Sequence, residues 1–302
     1  MSDINKIIEE RDFYENVNEF MSTYQELAAM QMQRVRDSIL QTRRYMDGLS
    51  DIFIDVRQSH YQKMRELIEK NAKKNKVAQA NGVKHHISLS SLKKNGKSLV
   101  VFISPDTKFS GDIIGRVFAN FKTYYTGKNS DVALVGVIGE RLFKQAFPGH
   151  EYTLFRIADR MVDFDELIPL IKFAIDYEQV DIFYSRFFSL ITQEPVSNNI
   201  TGDTDFFEQT QAVEREKRNF LFEPPLEEML EFFEIQVFSS LIRQAVHESY
   251  LANLGSRIIN LDAATQNISA QNAKLNKELN VTQRHLLNRK QRERMAGMQS
   301  WK

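Results

Sequence analysis

Cysteine is absent from the 302-residue chain, which excludes disulfides, thiolate metal sites and thiol nucleophiles and fits a reducing compartment. Glycine (12) and proline (6) are scarce, against averages of roughly 7% and 5%. So few breakers predict long uninterrupted helices. A surplus of either charge is also missing, since 40 basic side chains face 40 acidic ones. Parity argues against general polyanion binding, which needs a basic excess to release counterions, but leaves room for a local basic patch. No apolar run approaches the roughly 20 residues that span a bilayer. The acidic start, MSDINKIIEERDFYENVNEF, lacks the basic-then-apolar layout of a secretory signal. The expectation is a protein that is soluble or held to a membrane only through partners. Hydrophobic content of 42%, with 22 Phe, is enough for a core and excludes wholesale disorder.

The chain divides into an arm, a middle and a second arm, with boundaries expected at 1–72, 73–223 and 224–302. The first arm has no Pro and one Gly, Gly48. Its apolar residues recur at three-four spacing: Val17, Phe20, Tyr24, Leu27, then Met32, Val35, Ile39, then Met46, Leu49, Phe53, Val56. That pattern predicts a helical seam with a phase shift near Ala28. The polar and basic stretch 71–95 reads as a loop. The middle brings β-branched and aromatic runs at 98–104, 131–138, 151–157 and 180–190, which predict strands. Helix-like stretches at 113–125, 140–146 and 163–177 alternate with them, so an α/β layer with mainly parallel pairing is expected. Residues 193–210 read as an exposed loop, and a further strand is expected near 220–223.

Pro224-Pro225 opens the second arm, as suits a helix start. Its seam runs Leu226, Leu230, Phe233, Val237, then Leu251, Leu254, Ile258, Leu261, Thr265, Ile268, Asn272, Leu275, Leu279, Thr282, Leu286. The polar members are of the kind that fixes register at some cost in stability. At 1.5 Å per residue this helix reaches about 110 Å. Neither arm can bury its seam on a compact middle, so the two are expected to pack together as an antiparallel coiled coil.

Catalytic motifs are missing. The first strand leads into SPDTKFSGDIIGR, where Gly111 and Gly115 do not make G-x-G-x-x-G, and no P-loop occurs. A tight strand-to-helix turn is the better reading. The adjacent His85-His86 has no i,i+4 partner for a zinc site. Asp163, Asp165 and Glu166 suit the start of a helix dipole. No G-x-S-x-G elbow is present. The expectation is no catalytic residue, no cofactor, no metal, no nucleic acid and no direct small-molecule substrate. Charge placement says more. Arg34, Arg36, Arg43 and Arg44 lie on the first helix, and Arg284, Arg289, Lys290, Arg292 and Arg294 near the end. A solvated helix face explains such belts, and so does a shaft turning inside an acidic or polar collar.

This layout resembles the gamma subunit of F-type ATP synthases. The family's M-V-A-A-A-K-L-R-R-A stretch corresponds to Glu26-Leu27-Ala28-Ala29-Met30-Gln31-Met32-Gln33-Arg34-Val35. Its S-D-R-G-L-C-G-G-F-N corresponds to the Ser104–Asp112 turn, and IFYSRFFSLITQEPV looks like its Y-N-x-F-x-S and Q-x-P segments. The most specific match sets S-R-M-x-A-M-D-x-A-T-x-N beside Ser256-Arg257-Ile258-Ile259-Asn260-Leu261-Asp262-Ala263-Ala264-Thr265-Gln266-Asn267. The chain also departs from the family. Gln25 and Gln31 replace two lysines, Gly111 stands for a glycine pair, and R-Q-x-x-I-T-Q-E becomes Gln283 to Lys290 with an acidic position now basic. These changes mark a divergent member, with an alternative F1-like motor that does not move protons as one reading.

The resemblance implies a coiled coil with a central Rossmann-like α/β domain. It implies a rotor without chemistry of its own inside an alpha3beta3 ring, with an epsilon-type subunit and a membrane ring or its substitute at the foot. The implied location is the cytoplasmic face of a bacterial-type membrane, or the equivalent organellar compartment. Arg34, Arg36, Arg257, Asp262, Thr265, Asn267 and Arg284 are the implied collar contacts, with helix-surface or intra-coil pairing as the alternative for each. Two readings from other classes stay open: a non-motor coiled-coil adaptor with a protein-binding head, and an α/β small-molecule enzyme with helical arms.

Overall fold

The computed structural model describes residues 2–74, 94–107, 110–158, 160, 163–201 and 226–299. Helix α1 (Ser2–Lys74) leads to strand β1 (Ser98–Ile103) and helix α2 (Ile113–Thr126). Then come β2 (Asp131–Val135), α3 (Val137–Ala146), β3 (Thr153–Phe155) and α4 (Phe164–Ala174). The chain continues with β4 (Gln179–Phe187), β5 (Gln193–Asn199) and the closing helix α5 (Leu226–Gln299). His85-His86, the strand expected near 220–223 and Pro224-Pro225 lie outside the described residues, as do the side chains of Phe53, Leu226 and Leu230.

The sheet order is β3-β2-β1-β4-β5, with β5 alone antiparallel. Strand β1 is central and apolar on both faces: Leu99, Val101 and Ile103 point one way, Val100 and Phe102 the other. That fits a parallel strand covered on both sides. One face packs Val117, Phe121 and Phe143 of α2 and α3. The other packs Leu167, Leu170 and Ala174 of α4 and then Phe238, Ile242, Ala245 and Val246 of α5. The long C-terminal helix is therefore both shaft and part of the core of the foot.

The loop expected at 193–210 begins instead with a strand. Residues Gln193–Asn199 pair with Phe187–Asp181 of β4 across the tight turn at 188–192, with Pro195 opposite Ser185. Polar and proline residues hid it, because an edge strand needs neither apolar alternation nor every N–H.

Helices α1 and α5 run antiparallel. Asn18 lies beside Ser269, Gln25 beside Asp262 and Arg43 beside Glu248. From Phe233 to Leu286 every described residue of the expected α5 seam is buried or half-buried. On α1 the phase shift does not occur. Buried and half-buried positions step evenly through Tyr14, Asn18, Met21, Gln25, Ala28, Met32, Val35, Ile39, Thr42, Met46 and Leu49. Phe20, Tyr24 and Leu27, expected in the seam, face outward at 51%, 41% and 47% exposure. The inward positions there include Asn18 and Gln25 beside Met21, and the two polar residues bond across the coil while the apolar stripe lies outside.

Candidate functional site

Open α/β sheets bind ligands beyond the carboxyl ends of their strands, where the strand order reverses. Here the reversal lies between β1 and β4, and the crevice beyond it holds α5. Ser256 donates to the Ser110 carbonyl (2.7 Å), and the Arg257 guanidinium donates to Thr107 Oγ1. Gly111 has φ +62°, and a Cβ there would come within 3.0 Å of Ser256 Oγ and Asn260 Nδ2. The turn after β1 is thus shaped to receive a helix. A shallow groove of about 310 Å³ beside it is lined by Asp112, Arg116, Ile191, Gln193, Ser256 and Asn260 among others. Gly111→Ala is expected to separate this turn from α5. Amide hydrogen exchange at Ser110 and Asp112 should quicken in the alanine variant.

The joint continues downward. Ser185 Oγ of β4 lies 3.2 Å from Ser249 Oγ, both buried. Below them Glu248, fully buried, meets Arg43 of α1 and Arg186 of β4. Tyr184 is held well above the usual phenol range by burial, then by the Glu248 charge. Its hydroxyl accepts from Asn198 Nδ2 at 3.1 Å. Sequence reading noted Arg43 as part of a basic belt but missed Glu248, since a single glutamate inside a helix carries no pattern.

The seven residues expected at a collar separate into two groups. Arg34, Arg36, Asn267 and Arg284 are exposed. Asp262 is exposed too, accepting from Gln25 (3.3 Å) and Gln266 (2.8 Å). Arg257 is directed to the foot, as described. Thr265 is half-buried in the seam, where its hydroxyl and the Asn272 carbonyl have no hydrogen-bond partner among the described residues. Arg34 and Arg36 lie toward the foot end of the shaft, two to three helical turns from Arg43, whereas Arg284 is toward the far end. The belts are therefore at different heights. Asp165 and Glu166 open α4, and Arg160 pairs with Glu166 at 2.8 Å. Among the described residues no group of three His, Cys, Asp or Glu could hold a metal ion. No described helix is long and apolar enough to cross a membrane.

Geometry of this kind defines a class: a stiff coiled-coil shaft rooted in an α/β foot, with its longer helix bonded to the foot at several heights. Comparison with known proteins agrees. The ATP synthase family model matches residues 5–285. The ATP synthase gamma chain of Ruthia magnifica subsp. Calyptogena magnifica is 21% identical over 276 residues, 84% of each chain. That of Pelagibacter ubique (strain HTCC1062) is 25% identical over 217 residues, 67% of this chain and 72% of the relative. Among solved structures, the central stalk/c-ring structure of the Tetrahymena thermophila mitochondrial ATP synthase has a chain with TM-score 0.54 at 19% identity. The match covers 81% of this chain and 99% of that one. A chain of the Euglena gracilis mitochondrial ATP synthase gives 0.52 at 13% identity, covering 90% and 95%. At such identities these two show the fold. The chain belongs to the ATP synthase family and is a divergent gamma subunit, the central rotor of an F1-type complex.

Proposed function

We propose that the chain is a rotor without catalytic residues of its own, turning inside an alpha3beta3 ring while its foot engages an epsilon-type subunit and a membrane ring. The observation that carries this reading is the outward apolar stripe of α1. Phe13, Phe20, Tyr24 and Leu27 are 41–62% exposed on a helix whose inward face is polar at Asn18 and Gln25. Water-exposed aromatic surface in a continuous line suits a partner that encloses the shaft. Arg34, Arg36, Asp262, Asn267 and Arg284 supply the charged and polar contacts to that enclosure, while Arg257 and Thr265 serve inside the rotor. Where the shaft is asymmetric it meets each ring position differently and biases its nucleotide affinity. Rotation and affinity change then drive each other through one coupling free energy. The chain would act on the cytoplasmic face of a bacterial-type membrane or in the equivalent organellar compartment.

Mixing the chain with its cognate alpha and beta subunits tests this. One complex with cooperative ATP turnover is expected. A chain that stays apart from the ring, and instead brings down a non-ATPase partner, would favour the adaptor reading.

A further inference from the structure

The coiled coil and the foot share one buried charge, and nothing in the rotor's contact with a ring requires it. Glu248 lies on the part of α5 that faces both α1 and the sheet, and it is fully buried. Its Oε1 accepts from Arg43 Nε at 3.2 Å and from Gln244 Nε2 at 3.0 Å. Its Oε2 has no hydrogen bond among the described residues and faces Arg186 Nε at 3.5 Å. Arg43 and Arg186 are only partly exposed, at 36% and 43%.

A carboxylate removed from water is tolerated only when cations or donors replace its hydration. Here one cation comes from each neighbouring body: Arg43 from the first shaft helix, Arg186 from the end of β4 where it pairs with the edge strand β5. Both arginines reach α5 through the same carboxylate, so Glu248 ties α1 and β4 to one point on the helix. The best-attested role of such buried pairs is fixing register rather than adding stability. The neighbouring layer of Val35, Ile39, Tyr250, Leu251 and Leu254 packs α1 against α5, and Glu248 adds a charged contact that brings in the sheet as well.

We infer that Glu248, clasped by Arg43 and Arg186, is the torsional key of the rotor: a positioning residue that fixes the foot against the shaft so that twist in one reaches the other. The inference rests on the rotor reading for its purpose, but its test needs no ring. The full-length chain, free of native cysteine, is labelled with spin probes at Lys122→Cys on the foot and Ala263→Cys on the shaft, both exposed positions. The parent should give a narrow inter-probe distance distribution. Glu248→Gln and Arg186→Gln should each widen it, by about twofold, and the double variant should go no further than Glu248→Gln alone, as members of one network do. Arg160→Gln, which breaks a surface pair elsewhere in the foot, should leave the width unchanged. A parent-like width in both single variants overturns the inference, and so does equal broadening by Arg160→Gln. If Glu248→Gln fails to fold, Arg186→Gln at its half-exposed position decides alone. Failure of ring assembly by the parent chain would overturn the rotor reading instead, and leave this result as it is.

Discussion

Changing Gly136 to alanine is expected to unfold the foot while leaving much of the long helices helical. Gly136 closes β2 and starts α3 with φ +89° and ψ 153°, a region open essentially to glycine. A Cβ there would be 2.8 Å from the Ser104 carbonyl carbon and nearer still to its oxygen. That backbone cannot yield. Ser104 N–H donates to the Val135 carbonyl (2.9 Å), its hydroxyl donates to the same carbonyl (2.8 Å), and Gly139 N–H donates to that hydroxyl (2.8 Å). Strain and clash together are expected to cost on the order of 3–5 kcal/mol. Near-ultraviolet circular dichroism, to which the packed tyrosines of the foot Tyr124, Tyr125, Tyr177 and Tyr184 contribute, should collapse. The far-ultraviolet helix signal should fall much less.

The second large effect falls on the shaft. Leu254 is fully buried with Ala28, Val35, Ile39, Leu251 and Ile258 where the coil leaves the foot. Leu254→Ala removes packed methylenes and is expected to cost about 2–5 kcal/mol. Leu254→Asp costs more, because the carboxylate must lose its water among aliphatic side chains. Thermal melting followed at 222 nm should show the loss, and the aspartate variant should fail to enter a complex with alpha and beta subunits. An exposed control on the same helix, Leu287→Ala, should melt as the parent does, since that side chain is 59% exposed.

How much of this was legible beforehand depends on what kind of residue made each contact. Two arms and an α/β middle followed from scarce Gly and Pro and from a switch of hydrophobic period at Ser98. The α5 seam could be read residue by residue because apolar groups dominate it. The first half of α1 could not. Its coil is zipped by Asn18 and Gln25, so the apolar pattern traced the outer stripe and seemed to slip at Ala28. Polarity hid β5 as well, an edge strand containing Pro195 and recognisable only through its pairing with β4. Among the collar candidates, the motif around Arg257 carries no information on which way each side chain points. The fold turns Arg257 toward Thr107 and leaves Asn267 exposed. Glu248 was invisible for a simpler reason: burial of a charge can be seen only when both of its arginines have been brought to it.

The central claim is that this chain turns. An alpha3beta3 complex assembled on the chain, fixed through the ring, with a probe attached at Lys122→Cys on the foot, tests it most directly. On addition of ATP the probe is expected to rotate one way with three pauses per turn. A stable complex that hydrolyses ATP while the foot stays still would contradict it.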